Sequence, residues 1–585
     1  MDPSRIESAF PAPSYRGNQE DALRRIRAAF EDGNDVVLVR APTGSGKSLL
    51  ARAIAGCARQ GSQASATDAI GAYYTTPQVS QLDDVAADPL LSDLSIIRGK
   101  SNYKCILSGE TDTPVTQAPC AREREFDCQV KHRCPYFSDR SIAANQSIAA
   151  MTLAYFMQTA GSDVFGQRDV VVIDEAHGLG EWAEMYAAID LAPDTVPVWD
   201  ERPPPEIDDV ETAADYAAGL SRVCDRRLTD LRAQVELEPE EAAERDRLEE
   251  LRSDLTWFQE AVRDPDSPTT WVVDQPDGEG SRTTFKPLNP ERFLSHTVWD
   301  RGNKFALLSA TILNKDAFCA SAGLDPDRVA LVDLEHTFPV ENRPLVDVTQ
   351  GKMTYEEREA TLPKIAETLV SLMARHPAES GLVHCHSYAI QDALADELDA
   401  LGVGDRVRSH DSEDRDGQLA AWKRSDDPTV FLSVKMEEAL DLDGDRCRWQ
   451  LLTKAPYPNT RDSRVARRLE DGDWAWYYRS ALRTVIQACG RIVRSPEDHG
   501  VTYLADASLL DLFDRARIDM PEWFADQVDR MERPSLPAAD PDAALAGLTS
   551  RSGGGAGRSH SGGSKRSRRS SRSGSNPVAD VWDTE

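Results

Sequence analysis

The sequence predicts an α/β fold built on two parallel-sheet units, from three observations. Apolar runs of strand length recur along the chain, such as Val36-Val37-Leu38-Val39 and Val170-Val171-Val172-Ile173. The first leads through a glycine-rich turn into a helical pattern, which is the strand–turn–helix order of a parallel sheet. A second series of such runs appears after residue 326, beyond a long stretch of different character.

The elements follow in order. A strand is expected at 35–40, a helix at 47–60 and a strand at 72–75, followed by another helix. Residues 101–140 break the pattern with Cys, Pro and mixed charge and little periodicity. The apolar strand 170–173 comes next. Residues 183–287 begin Pro-rich at Pro203-Pro204-Pro205, then set Leu228, Leu231, Leu237, Leu248, Leu251 and Leu255 among charges. That spacing reads as a mostly helical insertion. Strand signals resume at 305–308. The second α/β unit, 326–540, has strands near 381–385, 430–434, 450–453 and 501–504. The tail, 541–585, is expected to be disordered, since residues 551–575 are almost wholly Ser, Gly and Arg and bury no core. Residues 551–572 hold seven basic residues and no acid. This reads either as a solvated tail or as a loose polyanion tether.

Composition narrows the class. At 585 residues the chain has room for three or four domains, taking ~150 residues for each. A hydrophobic content of 40% excludes a wholly disordered chain. No apolar run approaches the ~18 residues of a membrane span, and residues 1–19 lack the apolar centre of a signal peptide. A soluble, cytoplasmic chain is expected. The net charge is −32, and the 67 basic residues divide into only 13 Lys and 54 Arg. Scarce Lys amid abundant Asp and Glu is the composition of a protein working in molar salt. Acidity normally argues against a nucleic-acid partner, but as a whole-surface adaptation to salt it loses that force.

Chemistry concentrates in three places. Ala41-Pro42-Thr43-Gly44-Ser45-Gly46-Lys47-Ser48 lies between strand and helix and fits a phosphate-binding loop, with Ala in place of the first Gly. Small residues let backbone N–H groups close around phosphates. Lys47 would reach the β- and γ-phosphates of ATP, and Ser48 would ligate Mg²⁺. Val170–His177 ends an apolar strand in two carboxylates. Asp174 is expected to hold Mg²⁺ and Glu175 to polarise the attacking water, with His177 coupling the site to its neighbours. In Gln487-Ala488-Cys489-Gly490-Arg491-Ile492-Val493-Arg494, the two arginines are three apart and share a helical face. From a second domain they can meet the γ-phosphate across a cleft, as arginine fingers do.

Four of the ten cysteines, Cys105, Cys120, Cys128 and Cys134, fall within 30 residues with 14, 7 and 5 residues between them. None of these intervals is the tight C-x₂-C knuckle that zinc ribbons favour. The spacing suits a [4Fe–4S] cluster better, and leaves zinc or plain structural thiols open. Single-strand contacts are sought among Trp474, Trp476, Tyr477 and Tyr478 with Arg461, Arg464, Arg467 and Arg468 upstream. Those aromatics also suit packing of the helix on its own sheet. Lys100, Lys104 and Arg122 are further candidates for phosphate contact.

Together these residues resemble the DEAH-box superfamily 2 helicases, and within them the XPD/DinG (Rad3-like) iron–sulfur branch. Tyr15–Gln19 resembles the adenine-reading Q motif, with Gln19 on the base. Thr75–Gln78 resembles motif Ia, Leu308–Thr311 motif III and Gly381–Ser387 motif IV. Glu438–Gly444 resembles motif V and implies nucleotide-site roles for Glu438 and Asp441, although Ala439 replaces a usual Gly. Asp506 stands where the family has Asp followed by Arg, and no Arg follows closely.

The resemblance implies two RecA-like parallel-sheet helicase domains. Domain 1 would comprise 1–100, 141–182 and 288–325, interrupted by an iron–sulfur domain at 101–140 and a short arch-like insertion at 183–287. Domain 2 would be 326–540. It further implies an ATP-dependent helicase, a monomer acting 5′→3′ on single-stranded and forked DNA in repair, with ATP, Mg²⁺ and a [4Fe–4S] cluster held by the four cysteines. Two other readings are a nucleic-acid-stimulated ATPase that remodels complexes without unwinding, and a non-catalytic DNA-binding scaffold.

Overall fold

The structure, a computed structural model, describes residues 1–60, 69–122, 126–162, 164–234, 237–264, 270–412, 414–434 and 446–552. Two units emerge: Met1–Thr337 with Pro458–Tyr477, and Phe338–Tyr457 with Tyr478–Glu585. Residues 326–337 and 458–477, both inside the expected second domain, thus fold with the first unit.

Unit 1 contains β1 (Val36–Arg40), β2 (Ala72–Thr76), β3 (Ser95–Ile96), β4 (Ile148–Thr152), β5 (Arg168–Ile173), β6 (Ile189–Leu191), β7 (Trp271–Asp274), β8 (Thr283–Pro287), β9 (Gly302–Ser309) and β10 (Val329–Asp333). Seven of these form a parallel sheet in the order β10-β1-β9-β5-β2-β4-β3. Helices cover both faces, so β2 and β5 are buried along their whole length. That explains why the sequence shows unbroken apolar runs instead of alternation. Helix Gln19–Glu31 lays Ala22, Leu23, Ile26 and Phe30 on one face, at the spacing of a 3.6-residue turn. Helix Lys47–Ala55 stops five residues before the expected 60, at Gly56, whose N–H closes on Arg52 O at 2.9 Å.

The insertion has the expected helices and adds a small sheet to them. Its two long helices, Val210–Ala233 and Pro239–Arg263, are joined by a three-stranded antiparallel sheet, β6-β8-β7. The strands are only three to five residues long, and β6 lies far from the β7–β8 pair in sequence, so no sustained local period announces them. The continuous helical pattern also breaks before Pro239, which starts the second helix behind a Glu238–Glu241 capping box. Phe258 from that helix stacks on Phe285 of β8 at 4.5 Å and meets Trp271 of β7 edge-on at 4.9 Å.

The 458–477 segment docks on this part of unit 1 through charge. Lys286 of β8 bridges Asp274 at 2.8 Å and Asp462 at 3.0 Å. Arg468 bonds Glu184 at 2.5 Å and Leu288 O at 2.8 Å, and lies over the Trp476 ring. Burial pushes the Glu184 carboxyl up to about 7 even against Arg468 and Arg464.

Unit 2 contains β11 (Leu345–Gly351), β12 (Gly381–His384), β13 (Val407–Arg408), β14 (Val430–Ser433), β15 (Trp449–Leu452) and β16 (Val501–Asp506). They form one parallel sheet, β11-β16-β15-β12-β14-β13. Residues 541–552 correct the expectation of a disordered tail from 541 onward. They form helix Pro541–Ser552, with Ala544 in the core and its carbonyl bonded by the buried Arg406 at 2.5 Å. Ala543, Ala544 and Leu545 supply the apolar surface that the Ser/Gly/Arg stretch lacks. The rest of the tail, from 553, lies outside the described residues. Among the described residues no helix is long and apolar enough to cross a membrane.

Because Phe258 joins the insertion's helices to its sheet, Phe258→Ala should destabilise the insertion by about 3–5 kcal/mol. Urea unfolding followed by tryptophan fluorescence, through the adjacent Trp257 and Trp271, measures this.

Candidate functional site

The parallel order of unit 1 sets the carboxyl ends of β1, β9 and β5 side by side. β1 is paired with β9 from Val36↔Phe305 to Arg40↔Ser309, and β5 with β9 through Ile173↔Leu307. The loops leaving these ends are 41–48, 310–314 and 174–177. Ala41 N donates to Ser309 O at 2.9 Å, which extends the ladder into the loop. Ligands of open α/β sheets sit at this edge.

The loop 41–48 turns through Gly44 (φ 80°) and Gly46 (φ 79°), both left-handed, and delivers Lys47 and Ser48 at the start of helix Lys47–Ala55. A Cβ on Gly46 would collide with Gln19 Nε2. Gln19 is buried, donates to Ser45 O at 3.0 Å and accepts from Arg16 N at 2.9 Å, so it is fixed against the loop. Thr43 lies in the same loop.

After β5 the backbone is left-handed at Glu175 (φ 49°). Lys47 Nζ lies 3.1 Å from Glu175 Oε1. His177 Nδ1 lies 3.4 Å from Glu175 Oε2 and 2.9 Å from Ser309 Oγ. Ser309 Oγ in turn accepts from Thr311 N at 3.1 Å. A continuous polar chain thus runs from the phosphate-type loop through the acidic pair to the loop after β9.

The two carboxylates are driven apart. Burial, then the neighbouring Glu175, pushes the Asp174 carboxyl up to about 6. Burial also acts to raise Glu175, but Lys47 and then His177 outweigh it and hold Glu175 well below the ordinary carboxylate range. Glu175 is therefore the anion of the pair, and Asp174 takes its proton more readily. Sequence reasoning missed Tyr74. From β2 its hydroxyl donates to Asp174 Oδ2 at 3.5 Å, and burial followed by the Asp174 charge raises its own pKa well above the usual value. Its only signal was a hydroxylated ring in an apolar strand.

Gln487, Arg491 and Arg494 lie in unit 2, at and after the end of helix Trp474–Cys489. Arg491 N donates to Ala488 O at 3.2 Å and Arg494 N to Asp498 Oδ2 at 3.1 Å. His384, at the end of β12, is fully buried, and burial pushes its pKa down to about 4. His386, just beyond it, is also pushed down to about 4 by burial, with Lys454 adding to the shift. Glu438 and Asp441 lie outside the described residues.

Of the four clustered cysteines, Cys105 and Cys134 are buried and Cys120 and Cys128 half-buried. Burial raises the Cys120 thiol, and the neighbouring Cys128, Cys105 and Cys134 each raise it further. Cys105 Sγ also accepts a hydrogen bond from Leu107 N at 3.4 Å, as a thiolate ligand would. Among the described residues no three His, Cys, Asp or Glu side chains stand close enough to share a metal ion. In kind, four thiols are the donor set of a thiolate-bound cluster. Cys120 sits on helix Pro119–Arg122, which packs against helix Pro239–Arg263 of the insertion.

Among the aromatics proposed for strand stacking, Trp474 is 49% exposed, whereas Trp476 is half-buried beneath Arg468. Arg464 and Arg468 face Glu184, so their charge is met within unit 1. Lys100 lies over the Tyr136 ring at 5.9 Å, and the exposed Lys104 is 3.9 Å from Asp112. The Arg122 side chain lies outside what is described.

A histidine depressed by burial adds stability that is full above its unfolded pKa and lost as pH falls toward the folded one. For His384 that window runs from about 6.5 down to about 4, with an effect of order 3 kcal/mol. Urea midpoints between pH 7 and pH 4 should fall on the acid side, and fall less steeply in His384→Phe.

Comparison with known proteins comes from three directions. The Helicase C-terminal domain family matches residues 369–527, and the DEAD_2 family matches residues 123–196. Human regulator of telomere elongation helicase 1 is 31% identical over 112 residues, 16% of this chain and 9% of the relative. The helicase subunit XPD/RAD3 of the general transcription and DNA repair factor IIH from Saccharomyces cerevisiae is 24% identical over 189 residues, 28% of this chain and 24% of the relative. The matches thus span under a quarter of these curated relatives. Among solved structures, S. tokodaii Xpd4 aligns with a TM-score of 0.54 at 16% identity, covering 89% of this chain and all of that one. A second, an XPD helicase, aligns at 0.57 and 15% identity over the same shares. The fold is that of two-domain RecA-like helicases, and the sequence matches are to XPD/Rad3-like superfamily 2 helicases.

Proposed function

We propose that the chain is an ATP-dependent DNA helicase of the iron–sulfur kind that moves 5′→3′ on single-stranded DNA and opens forked duplex. It works as a monomer in a salt-rich cytoplasm. The observation that carries this reading is the polar chain Lys47–Glu175–His177–Ser309, which joins a phosphate-type loop, an acidic pair and a third strand-end loop in one site. The DNA substrate and the 5′→3′ polarity follow the likeness to XPD/Rad3-type helicases. A role in repair is carried over from the yeast relative, by name a subunit of a DNA repair factor.

In this reading ATP lies along the loop 41–48 with its base against Gln19. Backbone N–H groups from Thr43 to Gly46 receive the phosphates, and the Lys47 ammonium meets the β- and γ-phosphates. Glu175, held as a carboxylate, accepts a proton from the attacking water. The water oxygen bonds to the γ-phosphorus as the bridging β–γ oxygen leaves with ADP. Ser48 and Asp174 would hold Mg²⁺, which neutralises phosphate charge. His177 and Ser309 report the state of Glu175 to the loop after β9. In the family pattern Gln487, Arg491 and Arg494 would serve hydrolysis, the arginines by neutralising charge that grows on the γ-phosphate. Glu438 and Asp441 would have nucleotide-site roles by the family pattern alone. Cys105, Cys120, Cys128 and Cys134 would hold a [4Fe–4S] cluster, which staples a segment with little apolar core of its own. The exposed Trp474 offers a stacking face for DNA bases, and Lys100 and Lys104 offer phosphate contacts.

Unwinding of forked, 5′-tailed and 3′-tailed duplexes at high KCl tests the reading. Strand release from forked and 5′-tailed substrates, and none from 3′-tailed ones, is the expected result. ATP turnover stimulated by DNA without strand release would instead favour a remodelling translocase.

Lys47→Ala should lower ATP hydrolysis at least ~100-fold and stop unwinding while the thermal transition stays in place, since no core cavity is made. Glu175→Gln should keep nucleotide affinity within about threefold yet slow hydrolysis by ~10²–10⁴. Phosphate release and binding of a fluorescent nucleotide separate the two effects.

Protein purified without oxygen should be brown, absorb broadly near ~400 nm and carry about four irons per chain. A Cys→Ser change at 105, 120, 128 or 134 should remove the iron and strand separation but leave much of the DNA-stimulated ATP turnover. Colourless protein with stoichiometric zinc is the opposite result.

A further inference from the structure

We infer that Gln450 is a positioning residue for Arg491, held in its own place by His384, and that Arg448 with Asp498 fixes the far end of the same turn. This rests on the hydrolytic role proposed above for Arg491.

Gln450 stands in the middle of β15, fully buried, paired with Leu382 of β12 on one side and Thr502 of β16 on the other. An amide at the centre of a parallel sheet is costly where a leucine would pack without penalty. Here every polar atom of it is used. Nε2 donates to Thr502 Oγ1 at 2.8 Å and to Ala488 O at 2.9 Å, while Oε1 faces His384 Nε2 at 3.1 Å. With two acceptors before the nitrogen, the amide has one orientation. Its oxygen can only accept, so His384 carries its proton on Nε2.

The Ala488 carbonyl decides what the amide is for. It belongs to the last turn of helix Trp474–Cys489, where carbonyls lack partners within the helix. It accepts from Gln450 Nε2 and also from the backbone N–H of Arg491, at 3.2 Å. Both lone pairs are engaged, and the peptide from which Arg491 departs is tied to the sheet. The far end is tied to the same strand. Arg494 N donates to Asp498 Oδ2 at 3.1 Å, and Asp498 Oδ1 accepts from Arg448 Nη1 at 2.6 Å, with Arg448 immediately before β15. Gln450 of β15 and Arg448 just before it therefore grip both ends of the turn 488–498. An arginine that stabilises growing charge must be held to a fraction of an ångström, and its flexible stem makes backbone anchoring the effective control.

Gln450→Leu keeps the volume and removes the grip. DNA-stimulated ATP hydrolysis should show kcat lowered about 30-fold, with KM for ATP and affinity for single-stranded DNA within about threefold. Arg491→Ala is measured beside it, together with the double variant. If Gln450 acts through Arg491, the double variant should be no slower than Arg491→Ala alone, a non-additivity that general loosening of the sheet does not produce. His384→Ala, which leaves the glutamine in place but removes the partner of its oxygen, should give a smaller kcat loss of the same kind and serves if Gln450→Leu does not fold. Full turnover in both Gln450→Leu and His384→Ala beside an impaired Arg491→Ala overturns the positioning role alone. Additive losses in the double variant overturn it too. Full turnover in Arg491→Ala overturns both the positioning role and the reading of the arginine turn.

Discussion

Everything in the nucleotide-type site depends on the parallel register that places β9 between β1 and β5. Parallel strands point all their carboxyl ends one way, so three loops from distant parts of the chain leave the sheet at one edge. The side-chain period of a strand is two, and a slip of one residue would turn every chemical group to the other face. Ala41 N on Ser309 O carries the pairing past the last strand residue, and it holds the phosphate-type loop against the Ser309–Thr311 turn. The Lys47–Glu175 pair and the His177–Ser309 contact are consequences of that register.

Charge is used differently inside and outside this protein. The surface is strongly acidic, with a net charge of −32. The interior relies on arginines that bind carbonyls and rings. Arg168 donates to Ala72 O and Ala143 O and lies over the Tyr73 ring at 4.7 Å, and Arg301 lies over Phe156 at 4.4 Å. A planar, weakly hydrated guanidinium tolerates such places better than an ammonium, which gives the Arg-rich composition a structural use beyond its accord with salt. The 458–477 segment shows a third use, in which paired charges help dock one stretch of chain on another.

Much of the site was legible in the residues. A glycine-rich loop between strand and helix, and two carboxylates ending an apolar strand, are local patterns whose chemistry depends on a few adjacent residues. Strand positions in both units were legible for the same reason, since a strand buried on both faces writes its burial as an unbroken apolar run. The parts that escaped depend on distant partners. β6 has three residues and meets β8 from across the insertion, and β7 and β8, with four and five residues, are too short for their alternation to stand out. Helix Pro541–Ser552 looked like the start of a low-complexity tail until Ala544 met the core of unit 2. Tyr74 and Gln450 are single residues in apolar strands, and only the groups above their side chains give them a role.

The sequence by itself determined the two α/β units, the phosphate-type loop at 41–48, the acidic pair at 174–175, the arginine turn at 491–494 and the clustering of four cysteines. Each of these is a property of neighbouring residues. Tertiary structure alone decided that residues 458–477 fold with unit 1, that Asp174 and Glu175 are pushed to opposite sides of the ordinary carboxylate range, and that one carbonyl at Ala488 serves both Gln450 and Arg491. The reason is physical. Burial, charge pairing and hydrogen-bond satisfaction are set by what lies across space, and a linear pattern records only what lies along the chain.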